Sequence, residues 1–216
     1  MRMVARVVLA KTRLRIEGLE HVPRSGPALL VCRHYHHLYD GAALTLAIAR
    51  PVRIVVALDW TKDRGQRRMM EMLCGVARWP ILLRPPRTGH GWGDGYDPRE
   101  RARFVRDALV RSAELLVRGD VVVIFPEGFP TIDPAGSRKP DDGWLPFASG
   151  YLTIAERARR FGANVPLIPT GLSYGGSGDA PNTITLRFGA PETIRTPGER
   201  RNLARTIEER VHELSA

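Results

Sequence analysis

The chain has no run of about 18 apolar residues, so no stretch of it reads as a membrane-spanning helix. It has two cysteines, Cys32 and Cys74, each inside an apolar segment with no second cysteine or histidine at zinc-ligand spacing. That argues against a disulfide scaffold and a structural zinc site. Two buried, reduced thiols are expected, and with them the cytoplasmic side of a membrane rather than a secreted setting. Lysine is scarce: Lys11, Lys62 and Lys139 are the only three among 33 basic side chains, so arginine carries the positive charge. A cleavable leader is not read from Met1–Lys11, whose short apolar stretch is broken by Arg6 and has no small-residue cleavage site. Internal repeats and low-complexity tracts are also missing.

What is present is ordinary for one folded unit. The 216 residues are 43% hydrophobic and 26% charged, enough for a single domain with a full core. Seventeen prolines and 21 glycines fall between periodic segments and mark loops. The net charge of +10 gives a positive field suited to nucleic acid, anionic lipid or phosphorylated metabolites, and charge alone does not choose among them. In residues 1–12, Val4, Val7 and Val8 share a helical face with Arg2, Arg6 and Lys11 around it. This basic amphipathic segment suits an anionic lipid surface, with a first helix capping the core as the alternative.

Residues 13–216 read as one α/β domain. Arg13–Gly18 alternates at period two and reads as a strand, and Ala28–Cys32 reads as a buried one. A helix follows from Gly41, then a buried strand over Val52–Leu58, a helix over Gln66–Ala77 and a short strand ending at Arg84. Thr88–Pro98 is glycine-rich and reads as a surface loop. Pro98–Arg118 is a long helix with Val105, Ala108, Leu109, Leu115 and Leu116 inward. Asp120–Phe125 is the clearest core strand, and it is followed by a polar loop, Phe129–Gly143, long enough to suggest function. A helix over Ala148–Arg160, strands at Val165–Pro169 and Thr183–Phe188, and a last helix over Pro197–Leu214 complete the chain. Alternating strands and helices predict a mainly parallel or mixed sheet with helices on both faces.

The stretch Arg33-His34-Tyr35-His36-His37-Leu38-Tyr39-Asp40 sits where the Ala28–Cys32 strand hands over to a helix. In an open α/β sheet that carboxyl edge is where ligands bind. Three chemistries compete for it. A binuclear metal site would need an aspartate and a further histidine just after His34-x-His36, but Leu38 and Tyr39 stand there, so no metal is expected. A serine hydrolase is suggested by Gly171-Leu172-Ser173-Tyr174-Gly175, with Asp179 and His212 following. That motif requires a helix directly after the serine, whereas Gly176, Ser177, Gly178 and Pro181 lead into another strand.

The third chemistry is direct acyl transfer. A histidine oriented by an aspartate deprotonates a hydroxyl, which attacks a thioester. A phosphorylated acceptor would call for arginines at neighbouring strand ends. Arg84 and Arg87 qualify, as does the glycine turn Phe125-Pro126-Glu127-Gly128.

These residues carry a resemblance to the glycerolipid acyltransferase family, whose type activity is lysophosphatidate acyltransferase. Phe125-Pro126-Glu127-Gly128 with Leu145-Pro146-Phe147 and Gly150 resembles the family's third block, Val165–Pro169 its fourth, and Pro80–Arg84 its second. Gly18-Leu19-Glu20 and Pro27–Val31 resemble the run into its first. The first block departs from the family's Asn-His-four residues-Asp: Arg33 replaces the asparagine, and five residues separate His34 from Asp40. Either His34 reaches Asp40 across a longer loop, which is preferred, or His36 pairs with it one helical turn away.

The resemblance implies a fatty acyl transfer from acyl-CoA or acyl carrier protein to a phosphorylated lipid acceptor. In that transfer His34 or His36 acts with Asp40, and Arg84, Arg87, Glu127 and Gly128 bind substrate. It implies no cofactor beyond the thioester co-substrate, and peripheral contact with the inner face of an anionic membrane. Nucleic acid is not an expected partner. Two other readings keep the same cleft: a thioester or ester hydrolase, and a binding protein for lipid or nucleic acid that has lost the chemistry.

Overall fold

The computed structural model describes residues 1–61, 63–84, 97–133, 139, 143–177, 180–194 and 197–216. Arg87, His90 and Asp179 therefore lie outside the described residues, as does the expected loop over Thr88–Pro98 apart from its last two positions.

Six strands form one mixed sheet. In chain order they are β1 (Arg13–Glu17), β2 (Ala28–Cys32), β3 (Val52–Ile54), β6 (Val121–Ile124), β7 (Leu167–Ser177) and β8 (Ala180–Phe188), arranged β1-β8-β7-β2-β6-β3. From β7 to β3 the neighbours are parallel; β8 runs against β7, and β1 is parallel to β8. A separate pair, β4 (Val56–Ala57) and β5 (Ile81–Leu82), is also parallel. Val52–Leu58 is thus two strands rather than one. Val55 still donates to Val123 in the main sheet, and Val56 then turns its N–H to Pro80.

The α-helices among the described residues are α1 (Arg2–Val8), α2 (Tyr39–Ala47), α3 (Arg64–Ala77), α4 (Pro98–Val117), α5 (Gly150–Arg160) and α6 (Arg200–Ser215). Successive strand side chains point to opposite faces, and the central strands feed two cores. Ala28, Leu30 and Cys32 of β2, with Val121 and Val123 of β6, pack under α1 and α2. Leu29, Val31, Val122 and Ile124 pack under α4, α5 and α6. Each central strand is buried on both sides, and this is why these segments are continuous apolar runs. Helix α1 joins the first core through Ala5 and Leu9, and Arg2 donates to the carbonyls of Thr45, Leu46 and Ile48 at the end of α2. The basic amphipathic segment is therefore docked on the domain, with Met3, Val4 and Val7 facing outward.

The last helix approaches the sheet closely at a glycine. A Cβ at Gly171 would lie 2.3 Å from the Leu214 backbone, so only glycine admits α6 there. Gly171 sits inside β7, and the strand continues through Ser173 into an antiparallel partner. The turn to a helix that a serine-hydrolase elbow needs does not occur, and Ser173 Oγ accepts a hydrogen bond from Arg187.

Candidate active site

Register brings the site together. Val31 of β2 stands opposite Ile124 of β6, and three residues further along each chain are His34 and Glu127. The His34 N–H donates to Glu127 Oε1 at 2.8 Å, and its ring stacks on Phe125 with centroids 4.3 Å apart. On the other side of β2, β7 runs on past the last paired position, Cys32 to Thr170, and carries Tyr174 over the same edge.

Asp40, in the first turn of α2, is fully buried. Its Oδ2 accepts from His34 Nδ1 at 2.8 Å and from the N–H groups of Tyr35 at 2.8 Å and His36 at 3.0 Å. Its Oδ1 accepts from the Tyr174 hydroxyl. All four neighbours are donors, which suits an acceptor-only carboxylate, and the helix N-terminus adds a favourable dipole. With Nδ1 of His34 donating to Asp40, Nε2 is the ring nitrogen with a free lone pair. The side chain keeps 15% of its surface exposed. The extra residue between His34 and Asp40 is absorbed by a backbone that wraps its own N–H groups around the carboxylate.

His36 is turned to a different task. It is buried, and its Nδ1 accepts from the N–H groups of Leu38 at 3.1 Å and Tyr39 at 3.4 Å. These are donors at the start of α2 that helical bonding leaves open, so the ring caps the helix as an asparagine or serine would. His37 is half-turned to solvent, with its Nδ1 beside the Ile132 carbonyl.

Glu127 and Gly128 are engaged within the fold. The Glu127 carboxylate accepts from His34 N–H and Leu145 N–H and pairs with Lys139 Nζ at 2.5 Å. Lys139 also donates to the His34 carbonyl at 2.6 Å, so one buried ion pair holds both backbone polar groups of His34. Burial pushes the Lys139 ammonium down from its ordinary range, and the Glu127 charge opposes that shift. Gly128, at φ +76°, donates its N–H to Phe125 and offers its carbonyl to Arg84.

Arg84 follows β5 and is clamped. Its Nε lies 2.9 and 3.0 Å from the two Asp59 oxygens, one terminal nitrogen is 2.9 Å from Asp59, and the other donates to Gly128 at 2.5 Å. The guanidinium lies over the Phe129 ring at 3.9 Å. Of its five N–H donors three are engaged among the described residues, leaving one on each terminal nitrogen. Arg101 of α4 holds the Arg84 carbonyl at 2.7 Å.

Arg33, in the place of the family's asparagine, points along the sheet instead. Its guanidinium donates to the carbonyls of Leu172 and Ser215 and stacks on Tyr35 and Trp144. A cation at the C-terminal end of α6 meets the negative end of that helix, which accounts for an arginine with no carboxylate partner among the described residues.

The family model described as Acyltransferase matches residues 13–173, well over half of the chain. The chain belongs to the acyltransferase family. No curated protein matches its sequence. Among solved structures, it is similar to the crystal structure of the 1-acyl-sn-glycerophosphate (LPA) acyltransferase PlsC from Thermotoga maritima. The likeness has a TM-score of 0.61 at 20% identity, over 99% of this chain and 77% of that one. At that identity the likeness is one of fold.

Sequence spacing does not point to three residues of this candidate site. Tyr174, Lys139 and Asp59 lie 134, 105 and 25 positions from the groups they serve, Asp40, His34 and Arg84. No local spacing connects them. Tyr174 was visible only as part of the serine motif. Burial and the Asp40 charge push its phenol well above the ordinary tyrosine range, so it remains a hydrogen-bond donor.

Proposed function

We propose that this acyltransferase moves a fatty acyl group from a coenzyme A or acyl-carrier-protein thioester to a hydroxyl of a phosphorylated glycerolipid. The observation that carries this reading is the His34–Asp40 pair at 2.8 Å, opening at the carboxyl edge of the sheet beside a clamped arginine. His34 Nε2 takes the proton of the acceptor hydroxyl as its oxygen attacks the thioester carbonyl. Asp40 holds the ring and stabilises the imidazolium. When the tetrahedral adduct collapses, the C–S bond breaks and the imidazolium returns the proton to the departing thiol. The products are an ester and a free thiol, and neither a covalent acyl-enzyme nor a metal enters the sequence.

Glu127 and Lys139 position His34 through its backbone. Arg84, oriented by Asp59 and Gly128, offers its two remaining N–H donors to the acceptor phosphate. The acceptor class draws support from the structural relative, a 1-acyl-sn-glycerophosphate acyltransferase. No helix among the described residues is long and apolar enough to cross a membrane. Peripheral contact with an anionic, inner-face membrane is part of the same proposal.

The test is thioester turnover against a panel of lysophospholipids, glycerol phosphate and unphosphorylated alcohols, following released thiol and acylated lipid together. Equal amounts of thiol and acylated phospholipid are expected. Thiol release with only free fatty acid formed would replace transfer by hydrolysis.

A further inference from the structure

Helix α3 carries its large apolar side chains on the outside. Met69, Met72, Leu73 and Val76 are 51, 63, 49 and 82% exposed, and their i, i+3, i+4, i+7 spacing makes them one stripe. The inward face holds the small residues, Cys74 and Ala77, with Met70 packed toward Leu58 and Leu83. An ordinary surface helix does the reverse. The helical period over Gln66–Ala77 is as the sequence reads, and the structure adds which face is which: Cys74 and Ala77 look inward and the larger apolar stripe looks away from the core.

The flank of the stripe is cationic. Arg68 lies one turn before Met72, and Arg64 one turn before Arg68. Both are exposed, and neither forms an ion pair among the described residues. Arg67, on the far side, is bound to Glu71 and Glu100 and is not part of this rim. A contiguous apolar stripe of flexible side chains edged by unpaired arginines matches the boundary between acyl chains and anionic headgroups. It matches a second copy poorly, because the arginine rim and the net charge of +10 repel a like surface.

We propose that α3 is the element that seats this acyltransferase on an anionic lipid surface, Met69, Met72, Leu73 and Val76 entering the acyl boundary and Arg64 and Arg68 meeting headgroups. The inference rests on the lipid-acceptor reading only for its biological sense, since the stripe is observed independently of the chemistry. Its place in the fold gives it a use. Helix α3 joins β4 to β5, and Asp59 and Arg84 each stand two residues past one of those strands, so the clamped pair lies on the segments that lead into and out of the helix.

The test is co-sedimentation of the full chain with vesicles of phosphatidylcholine alone or mixed with phosphatidylglycerol. Wild type is expected to bind the anionic vesicles and to lose binding as salt rises. Met72→Glu/Val76→Glu is expected to bind roughly tenfold or more weakly, with an unchanged melting temperature because both side chains are exposed. Arg64→Glu/Arg68→Glu is expected to abolish the preference for anionic lipid. A matched variant of the outward face of α1, Met3→Glu/Val7→Glu, separates the two helices. If that variant loses binding while the α3 variants keep it, or if wild type binds no vesicle, the proposal is overturned. It is equally overturned if wild type is a dimer by sedimentation and Met72→Glu/Val76→Glu a monomer. Vesicle binding through α3 without turnover of any phosphorylated lipid would remove the proposed acceptor and leave the docking surface standing.

Discussion

The Tyr174 hydroxyl donates to the Asp40 carboxylate from a strand 134 residues downstream, on the oxygen that His34 does not use. The carboxylate that orients the imidazole is therefore itself held from both sides: by the loop that carries His34 and by β7. Tyr35 stacks on the Tyr174 ring with centroids 4.4 Å apart and fixes the phenol in turn.

Tyr174→Phe removes a donor from a buried carboxylate while keeping the ring. A hydrogen bond to a charged group is worth about 1.5–3 kcal/mol, so stability should fall by roughly that amount. kcat should fall severalfold at unchanged KM, because the phenol acts through Asp40. The alkaline behaviour provides a second check. In the folded protein the phenol holds its proton well above 10, whereas the unfolded chain releases it near 10. Above that pH the folded state binds more protons than the unfolded state, so stability declines as pH rises, by at most about 1.4 kcal/mol per pH unit for this one group. Urea unfolding from pH 9 to 11 should show a steeper decline for wild type than for Tyr174→Phe. Parallel curves would mean that the phenol is not locked on Asp40.

The fold was largely legible in the sequence. Ala28–Cys32 and Asp120–Phe125 were readable because burial on both faces leaves a pure apolar run. Strand β7, Leu167–Ser177, runs well past Pro169, and the glycines Gly171, Gly175 and Gly176 hide that continuation by reading as a strand end. Gly171 is instead an in-strand position where α6 comes too near for a side chain. The histidine cluster points to the sheet edge where His34 meets Asp40 without assigning its members, since an N-capping histidine and an oriented one look alike in sequence. What separates them is the direction of each ring, and that is set by Asp40, Tyr174 and the start of α2.

The two histidines should therefore respond differently to replacement. His34→Ala removes the imidazole paired with Asp40, and thioester transfer should fall by about 10²–10⁴ with the fold intact. His36→Ala leaves two helix-start N–H groups without their acceptor and should cost about 1 kcal/mol of stability, with activity reduced far less. His36→Asn keeps a side-chain acceptor and should recover most of the melting temperature. Loss of transfer in His36→Asn at full stability would move the base from His34 to His36.

Glu127 and Lys139 form a buried pair, with 0 and 1% of their side chains exposed. Removing one member leaves the other charged and unpaired, so Glu127→Gln or Lys139→Met alone should each destabilise by roughly 3 kcal/mol. The double variant should lose clearly less than the sum. The pair also holds the N–H and carbonyl of His34, so kcat should follow the same non-additive pattern. Additive losses in the double-mutant cycle would show that the two residues act separately.

Arg84 sets the expectation for acceptor recognition. Its charge is already balanced by Asp59, so what it can offer a phosphate is geometry: two N–H donors on a fork held in place by Asp59, Gly128 and the Phe129 ring. Arg84→Lys keeps a cation beside Asp59 but loses the fork. With charge-assisted hydrogen bonds worth about 1.5–3 kcal/mol, KM for a phosphorylated acceptor should rise roughly 10–100-fold while slow transfer to water is unchanged. Asp59→Asn keeps an acceptor oxygen for Arg84 but removes the counter-charge. It should lower that KM and also lower the melting temperature. The two substitutions pull KM in opposite directions only if a phosphate meets the guanidinium, so a KM that ignores both would place the acceptor's phosphate elsewhere.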